Sequence, residues 1–292
     1  MWRNSFIIIV GFSILTSACG QSERDADIAV SFSEGVAAYS NGDYGTALTL
    51  IEPHAKAGDT AAQIMMAELY ITGKAGVIDE TRGVSWLEKA AESGHIKAQS
   101  MMGTRYLSGD GVEVDETRGI KYLQSAAKKG NVRANVQLGF LYEYGKFVDQ
   151  NLDAAGRFYY RAAVIGDEEG VARLKKLADA NFVGPRTYLG LLYRDGKGVE
   201  SDASKAFALV ESDAQAGQPY AQYLISEAYG VGQGTDRSLE NAYMWANLSA
   251  GQSFPEAAKR RDVWAQLMTP DQIAAAQTLS RDWQAKFDAA NP

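Results

Sequence analysis

The chain has 292 residues, 46% of them hydrophobic and 22% charged, which is enough apolar content for a core and excludes a wholly disordered protein. One cysteine and two histidines exclude a disulfide-rich scaffold and argue against cysteine-rich or histidine-rich metal sites. A net charge of −7 argues against nucleic-acid binding. We therefore predict no nucleic-acid partner, no cofactor and no metal.

The first eighteen residues have the pattern of an export signal. Arg3 precedes a run without charged residues, 6–15, whose ten residues would span ~15 Å as a helix, about half of a bilayer core. Three small residues then lead to the single cysteine, Cys19. This order is typical of a signal peptide rather than of a membrane-spanning helix.

The residues before Cys19 resemble the lipobox of bacterial lipoproteins, although Leu15 lies one position earlier than in its commonest form. The resemblance implies removal of 1–18, lipidation of Cys19 and a tether over 19–28, while Gly20 favours the outer membrane. We expect a protein of the cell envelope, an outer-membrane lipoprotein facing the periplasm that contacts the membrane through its lipid anchor. An ordinary signal peptide with a chance cysteine is the alternative.

A period of 36 residues governs the remainder of the chain. Tyr70, Tyr106 and Tyr142 follow one another at this interval, as do Tyr193 and Tyr229. Small residues lie three positions before these tyrosines: Ala67, Gly103, Gly139, Gly190 and Ser226. Favourable helix N-caps lie nine positions after them: Asp79, Asp115, Asn151, Asp202 and Ser238. Each unit therefore predicts two helices that bury their apolar faces only by stacking on their neighbours.

The segment 102–112 (MGTRYLSGDGV) and the Ala-Ala-Lys-Lys-Gly that ends at Gly130 resemble Sel-one-like repeats (SLR), a branch of the tetratricopeptide-like repeats. The resemblance implies an all-α fold, an α-solenoid of stacked antiparallel helix pairs. A shorter tetratricopeptide-like pair precedes the SLR units, and capping helices follow them. The predicted segments are 29–60 for the first pair, 61–96, 97–132, 133–166, 184–219 and 220–252 for the SLR units, and 253–292 for the capping helices.

The period is interrupted once. Tyr142 and Tyr193 are 51 residues apart, and the additional residues contain a helical apolar stripe. We predict one unpaired helix in 167–183, a repeat without its second half. Near the end of the chain, Thr269 and Gln272 predict a capping box at the start of the last helix.

Motifs with catalytic potential are few. Ser125 and Lys128 match the serine-x-x-lysine pattern of penicillin-recognising enzymes, but the supporting motifs of those enzymes are missing. His54 and His95 are expected to lie at the C-terminal ends of second helices, as capping or surface residues. We predict that the protein is not an enzyme. The alternative is a β-lactam- or murein-directed hydrolase, by analogy with cysteine-rich SLR proteins.

The fold resemblance places partners on the face formed by the first helices. The residues expected to line this groove are Glu68, Lys97, Arg133, Phe140, Glu143, Leu191, Arg194 and Tyr220. Phe140, Leu191 and Tyr220 are its candidate anchors. We expect a monomeric scaffold or regulator that binds envelope proteins in signalling, polysaccharide export or cell-surface assembly. A purely structural cell-wall spacer is a further alternative.

Overall fold

The computed structural model describes residues 31–74, 76 and 78–292, so the predicted signal peptide and Cys19 lie outside the described residues. The described residues form fifteen α-helices, the first of which covers 31–40 (α1). The others are α2 (Tyr44–Lys56), α3 (Thr60–Thr72), α4 (Glu80–Glu92), α5 (Ile96–Ser108), α6 (Glu116–Lys128), α7 (Val132–Tyr144), α8 (Leu152–Val164), α9 (Glu168–Asp179), α10 (Pro185–Asp195), α11 (Ala203–Gln215), α12 (Pro219–Val231), α13 (Leu239–Gly251), α14 (Ala257–Ala265) and α15 (Pro270–Ala290). They stack as antiparallel pairs, which confirms the predicted fold class.

Local hydrogen bonds define where the helices of each pair begin and end. The predicted cap residues each accept a hydrogen bond from the backbone amide three positions later, at 2.9–3.2 Å. Each preceding helix is followed, three residues after its marker tyrosine, by a glycine with positive φ that stops the helix. These glycines are Gly73, Gly109, Gly145, Gly196 and Gly232.

The chain divides into two compact units between Ala126 and Ala127. In the first unit, α5 and α6 pack closely because both present glycine at the contact. A Cβ atom on Gly103 would lie 2.7 Å from Leu123 Cγ, and one on Gly119 would lie 3.0 Å from the carbonyl oxygen of Gly103. Both positions therefore require glycine, as the small-residue pattern indicates for Gly103.

The second unit contains the same type of contact and the interruption of the period. A Cβ atom on Gly139 of α7 would overlap the ring of Tyr159 on α8. Residues after α8 form a single helix, α9, which packs against α8 and α10 through buried side chains that include Leu174 and Leu177. No second helix separates α9 from Pro185, where α10 begins.

The start of α10 is stabilised by a residue from α11. Gly184 has no side chain to cap this helix. Asp213, whose side chain is 0% exposed, accepts hydrogen bonds from the amides of Gly184 and Thr187 at 2.9 and 3.0 Å. It also accepts from Thr187 Oγ1 and Arg186 Nε, both at 2.7 Å. Four donors thus satisfy a carboxylate that has no contact with water.

The last helices close the second unit. Thr269 and Gln272 form the predicted capping box at the start of α15. Trp264 of α14 is buried against Gly230 and donates from its indole nitrogen to Ser226 Oγ at 2.9 Å. In α12, therefore, two small residues leave room for a tryptophan from the capping helices.

Candidate partner-binding surface

The residues expected to form one groove lie in separate groups. In the first unit, Glu68 of α3 is exposed and accepts a hydrogen bond from Lys74 Nζ at 2.6 Å. Lys74 also lies over the rings of Tyr39 and Tyr44, at 5.2 and 5.6 Å from their centroids. The bond from Lys74 lowers the pKa of Glu68, and Lys97, which is also exposed, lies within electrostatic range of this carboxylate.

Phe140 and Glu143 of α7 form a second group with the inserted helix. The guanidinium of Arg173, from α9, lies 4.1 Å from the centroid of the Phe140 ring. It also donates to the hydroxyl of Tyr144 at 3.2 Å. These contacts attach α9 to α7, and they leave Phe140 only partly exposed.

Glu143 is a buried structural carboxylate, so its predicted place on an exposed groove is wrong. Its side chain is 7% exposed and accepts a hydrogen bond from the Tyr159 hydroxyl at 2.6 Å. Burial and this carboxylate raise the pKa of Tyr159, which therefore remains a donor.

Arg133 is exposed near the start of α7, away from Glu143, and forms no ion pair with any described residue.

The three remaining predicted residues lie on α10 and α12, but only two of them reach the surface. Leu191 is 4% exposed and packs in the core that α8, α9 and α10 form, so its predicted role as an exposed anchor is wrong. Arg194 is exposed and Tyr220 is half-buried. Arg194 lies within electrostatic range of the Tyr220 hydroxyl.

Further aromatic side chains extend this region. Tyr220 and Tyr223 of α12 lie 5.7 and 5.3 Å from Phe254, measured between ring centroids. Tyr160 of α8 lies within electrostatic range of both Arg194 and Tyr220. We call Tyr160, Arg194, Tyr220, Tyr223 and Phe254 the tyrosine–arginine surface.

The electrostatics of the tyrosine–arginine surface favour hydrogen-bond donors. Burial raises the pKa of Tyr160 and of Tyr220, so both hydroxyls stay protonated near neutral pH. Arg194 donates to Asp195 through Nε at 2.7 Å and Nη2 at 3.2 Å. Half-buried tyrosines beside an arginine have the composition of a binding hot spot.

Sequence reasoning missed Tyr160, Tyr223 and Phe254. Tyr160 belongs to a second helix and approaches α10 because α10 contacts α8 as well as α9. Phe254 lies in the connection before α14. The only available signal was the high local density of tyrosines, which does not indicate which of them meet.

The candidate catalytic residues lie on α6, and the two histidines contact groups of neighbouring residues. Ser125 Oγ donates to Gln99 Oε1 at 3.1 Å, and Lys128 is exposed. His95 is a capping residue, as predicted, but it caps the start of α5 rather than the end of α4: its Nδ1 atom accepts from the amide of Ala98 at 3.2 Å. His54 is 8% exposed and lies 2.9 Å, through Nε2, from Ser31 Oγ.

The described residues offer neither a metal site nor a membrane span. They contain no group of three or more His, Cys, Asp or Glu side chains placed to hold a metal ion. Among the helices of 31–74, 76 and 78–292, none is long and apolar enough to cross a membrane.

The family model of the Sel1 repeat matches five segments that together cover more than half of the chain: 60–95, 96–131, 132–164, 187–217 and 219–254. The chain belongs to the Sel1 repeat family. The gap between the third and fourth matched repeats, 165–186, contains α9. The family pattern therefore stops and resumes where the structure has its unpaired helix.

Two curated relatives are alginate biosynthesis proteins. The chain is 28% identical over 125 residues to AlgK of Pseudomonas syringae pv. tomato and 29% identical over 136 residues to AlgK of Azotobacter vinelandii. These matches cover 42% and 45% of this Sel1 repeat protein. It spans only 27% and 29% of the length of these relatives.

Two solved structures are similar to this chain at low identity. A protective antigen of uropathogenic Escherichia coli strains is 22% identical with a TM-score of 0.47, and the match covers 92% of this chain and 63% of that one. A Sel1 repeat protein of Oxalobacter formigenes is 24% identical with a TM-score of 0.45, and the match covers 87% and 95% of the two chains.

Proposed function

We propose that this Sel1 repeat protein is a scaffold of the bacterial cell envelope that binds other envelope proteins through its second unit. The observation that carries the proposal is the tyrosine–arginine surface, where two half-buried tyrosines from different helices lie within electrostatic range of an exposed arginine and two further aromatic rings pack beside one of them. Aromatic residues and arginine dominate the energetics of protein interfaces because they bury large areas and form several hydrogen bonds at once.

Polysaccharide export is the pathway that we propose among the three considered above. Its support is the similarity to two proteins named for alginate biosynthesis. Alginate is a polymer of anionic sugars, and a chain with a net charge of −7 is poorly suited to hold such a polymer along its whole length. We therefore propose that the chain is a scaffold for the proteins of an export assembly.

The proposed location is the periplasmic side of the outer membrane, with Cys19 as the lipidated residue. Three acyl chains would anchor the protein firmly, since each buried methylene contributes roughly 0.8 kcal/mol. Metabolic labelling with a fatty acid should mark the wild-type protein and not the Cys19→Ser variant. Retained labelling of the variant would place the lipid elsewhere.

Crosslinking in intact envelopes, followed by affinity capture and mass spectrometry, tests the scaffold. We expect the Tyr220→Ala/Tyr223→Ala variant to recover about tenfold less of its partner than wild type does. Phe182→Ala is the matched control, because this aromatic ring is 41% exposed and lies outside the tyrosine–arginine surface. Equal recovery by all three proteins would place the binding surface elsewhere, and no specific protein crosslink would favour the structural spacer.

The proposal includes no catalytic activity. Its support is that Ser125 has its hydroxyl bonded to a glutamine rather than to a base. Wild type and Ser125→Ala should show equal, negligible turnover of a β-lactam and of murein fragments. Turnover that depends on Ser125 would support the alternative that the protein is a hydrolase.

A further inference from the structure

The charge of the chain is distributed unevenly. Residues 127–200 carry twelve Lys and Arg against nine Asp and Glu, a net charge of +3. The remainder of the chain carries 17 Lys and Arg against 27 Asp and Glu, a net charge of −10. The basic segment contains α8 and α10, which supply Tyr160 and Arg194 to the tyrosine–arginine surface.

Two exposed arginines of α8 extend the tyrosine–arginine surface. Arg157 and Arg161 lie one turn apart, with their guanidinium carbons 5.9 and 5.6 Å from the centroid of the Phe158 ring. Both lie within electrostatic range of the Tyr188 hydroxyl, and the Tyr188 ring lies 5.7 Å from that of Tyr160. Guanidinium groups and tyrosine rings thus continue from α8 across α10 to α12.

These two arginines keep their hydrogen-bonding capacity. Neither has a carboxylate within 4.0 Å among the described residues. Asp153, one turn before Arg157, lies within electrostatic range without pairing with it, and burial raises the pKa of this carboxyl. Asp195 is the acidic group that pairs with Arg194. A ligand would therefore meet two unpaired guanidinium groups, a third in an exposed ion pair, and tyrosine hydroxyl donors.

We propose that the tyrosine–arginine surface, extended by Arg157 and Arg161, binds a short acidic segment of a partner protein. The inference rests on the proposed scaffold function and specifies the chemistry of its partner. Carboxylates accept paired hydrogen bonds from guanidinium groups, and aromatic side chains of the same segment would stack on the tyrosine rings. Three neighbouring helices span about 20 Å, a distance that about six extended residues cover.

The size of the basic region favours a peptide over a long polyanion. A polymer with one charge per sugar would extend beyond this region onto residues 201–292 of the same unit, which carry seven Lys and Arg against eleven Asp and Glu. A peptide can place its acidic residues opposite the arginines and end there. The charge distribution therefore favours a local acidic segment over a nucleic acid or a long anionic polysaccharide.

Fluorescence anisotropy with the full chain, purified from envelopes in neutral detergent, tests the proposal. The probe is a labelled ten-residue peptide of alternating Glu and Tyr, with a Lys–Tyr peptide as its charge-reversed control. The Arg157→Gln/Arg161→Gln/Arg194→Gln variant should bind the acidic peptide about tenfold more weakly than wild type. The matched control is Lys146→Gln/Lys259→Gln/Lys286→Gln, which removes the same charge from exposed lysines outside this surface and should bind within about twofold of wild type.

Several results would overturn the proposal. They are no binding of the acidic peptide by wild type, equal binding by the arginine variant, or equal weakening in both triple variants. A ten-sugar oligouronate that binds more tightly than the peptide would assign the surface to a polysaccharide instead. If the arginine triple variant has a lower melting temperature than wild type, the Arg157→Gln/Arg161→Gln variant supplies the same test. It removes only exposed side chains without ion pairs.

The envelope crosslinking experiment separates this inference from the proposed function. A partner whose capture depends on Tyr220 and Tyr223 but not on the arginines supports the scaffold and overturns the acidic segment. Absence of any partner that depends on these tyrosines overturns the scaffold, whereas the peptide measurement reports on the chemistry of the surface independently.

Discussion

The free backbone amides at the starts of α5 and α10 find their hydrogen-bond acceptors in different ways. In the regular repeat, the amides at the start of α5 are capped by the adjacent His95, and Gln99 Nε2 donates to the carbonyl oxygen of Ala91 at 3.1 Å. At α10, which follows the unpaired helix, Asp213 of the next helix supplies the acceptors. A regular repeat satisfies its helix ends locally, whereas the interrupted one depends on a residue almost thirty positions later.

The difference is visible at equivalent positions of the repeat. Gln99 and Arg186 both lie seven residues before their marker tyrosines, and Asp213 occupies the place that Ala126 has in a regular unit. Arg186 and Asp213 therefore form a paired departure from the repeat, joined by a 2.7 Å ion pair. The interruption thus replaces neutral local contacts with a buried charge pair.

The largest expected effect comes from removing one partner of that pair. Asp213→Ala should lower the free energy of unfolding by about 3–5 kcal/mol, because it leaves Arg186 and two amides without their acceptor. Asp115→Ala, which removes an ordinary helix cap, should cost about 1 kcal/mol. Urea denaturation measures both.

A second variant sharpens this prediction. Arg186→Gln/Asp213→Ala restores the residues of a regular unit and removes the unpaired charge, so it should recover part of the loss. An Asp213→Ala variant no less stable than Asp115→Ala would mean that the interrupted repeat does not depend on the pair.

The next largest loss of stability is expected where a glycine allows two helices to pack closely. Gly139→Leu should cost roughly 1–3 kcal/mol, since it inserts a side chain against the fully buried ring of Tyr159, whose hydroxyl is held by Glu143. Gly103→Leu meets the fully buried side chain of Leu123 and, 3.0 Å from its Cβ atom, the carbonyl oxygen of Gly119, so it should cost about as much. Thermal melts that match wild type for both would refute close packing at these glycines.

The regular repeat has its own polar contact. Gln99→Leu should cost about 1–2 kcal/mol, because the carbonyl of Ala91 loses one of its donors and keeps the amide of Gly94, while Ser125 loses its acceptor. Lys97→Leu, an exposed change on the same helix, serves as the control in the same denaturation series. An equal effect of the two would show that the glutamine contributes no more than a surface residue.

The smallest expected effect is a pH-dependent change in the free energy of unfolding. Burial raises the pKa of Asp153, so the folded state favours the protonated form and the stability that this residue contributes falls as pH rises through its pKa. Asp153→Asn should therefore stabilise the protein slightly at about pH 7, and the gain should disappear at about pH 3, below the usual pKa of Asp. Urea denaturation of wild type and Asp153→Asn at the two pH values measures the difference.

Several features of this protein were determined by its sequence alone. The 36-residue period predicted the helix pairs, the cap residues that start their second helices and the glycines at close helix contacts. The cap interactions involve residues three positions apart, and the packing contacts recur in every unit. These features could therefore be predicted from local chemistry and from the repetition of the sequence.

The tertiary structure decided which side chains remain on the surface. Equivalent positions predicted Leu191 and Glu143 as groove residues, but α9 and its neighbours bury the first in a core and enclose the second with Tyr159. The same rearrangement brings Tyr160 of α8 near Arg194 and Tyr220. Exposure depends on which helices pack together, and an inserted helix changes those neighbours without changing the pattern of the residues around it.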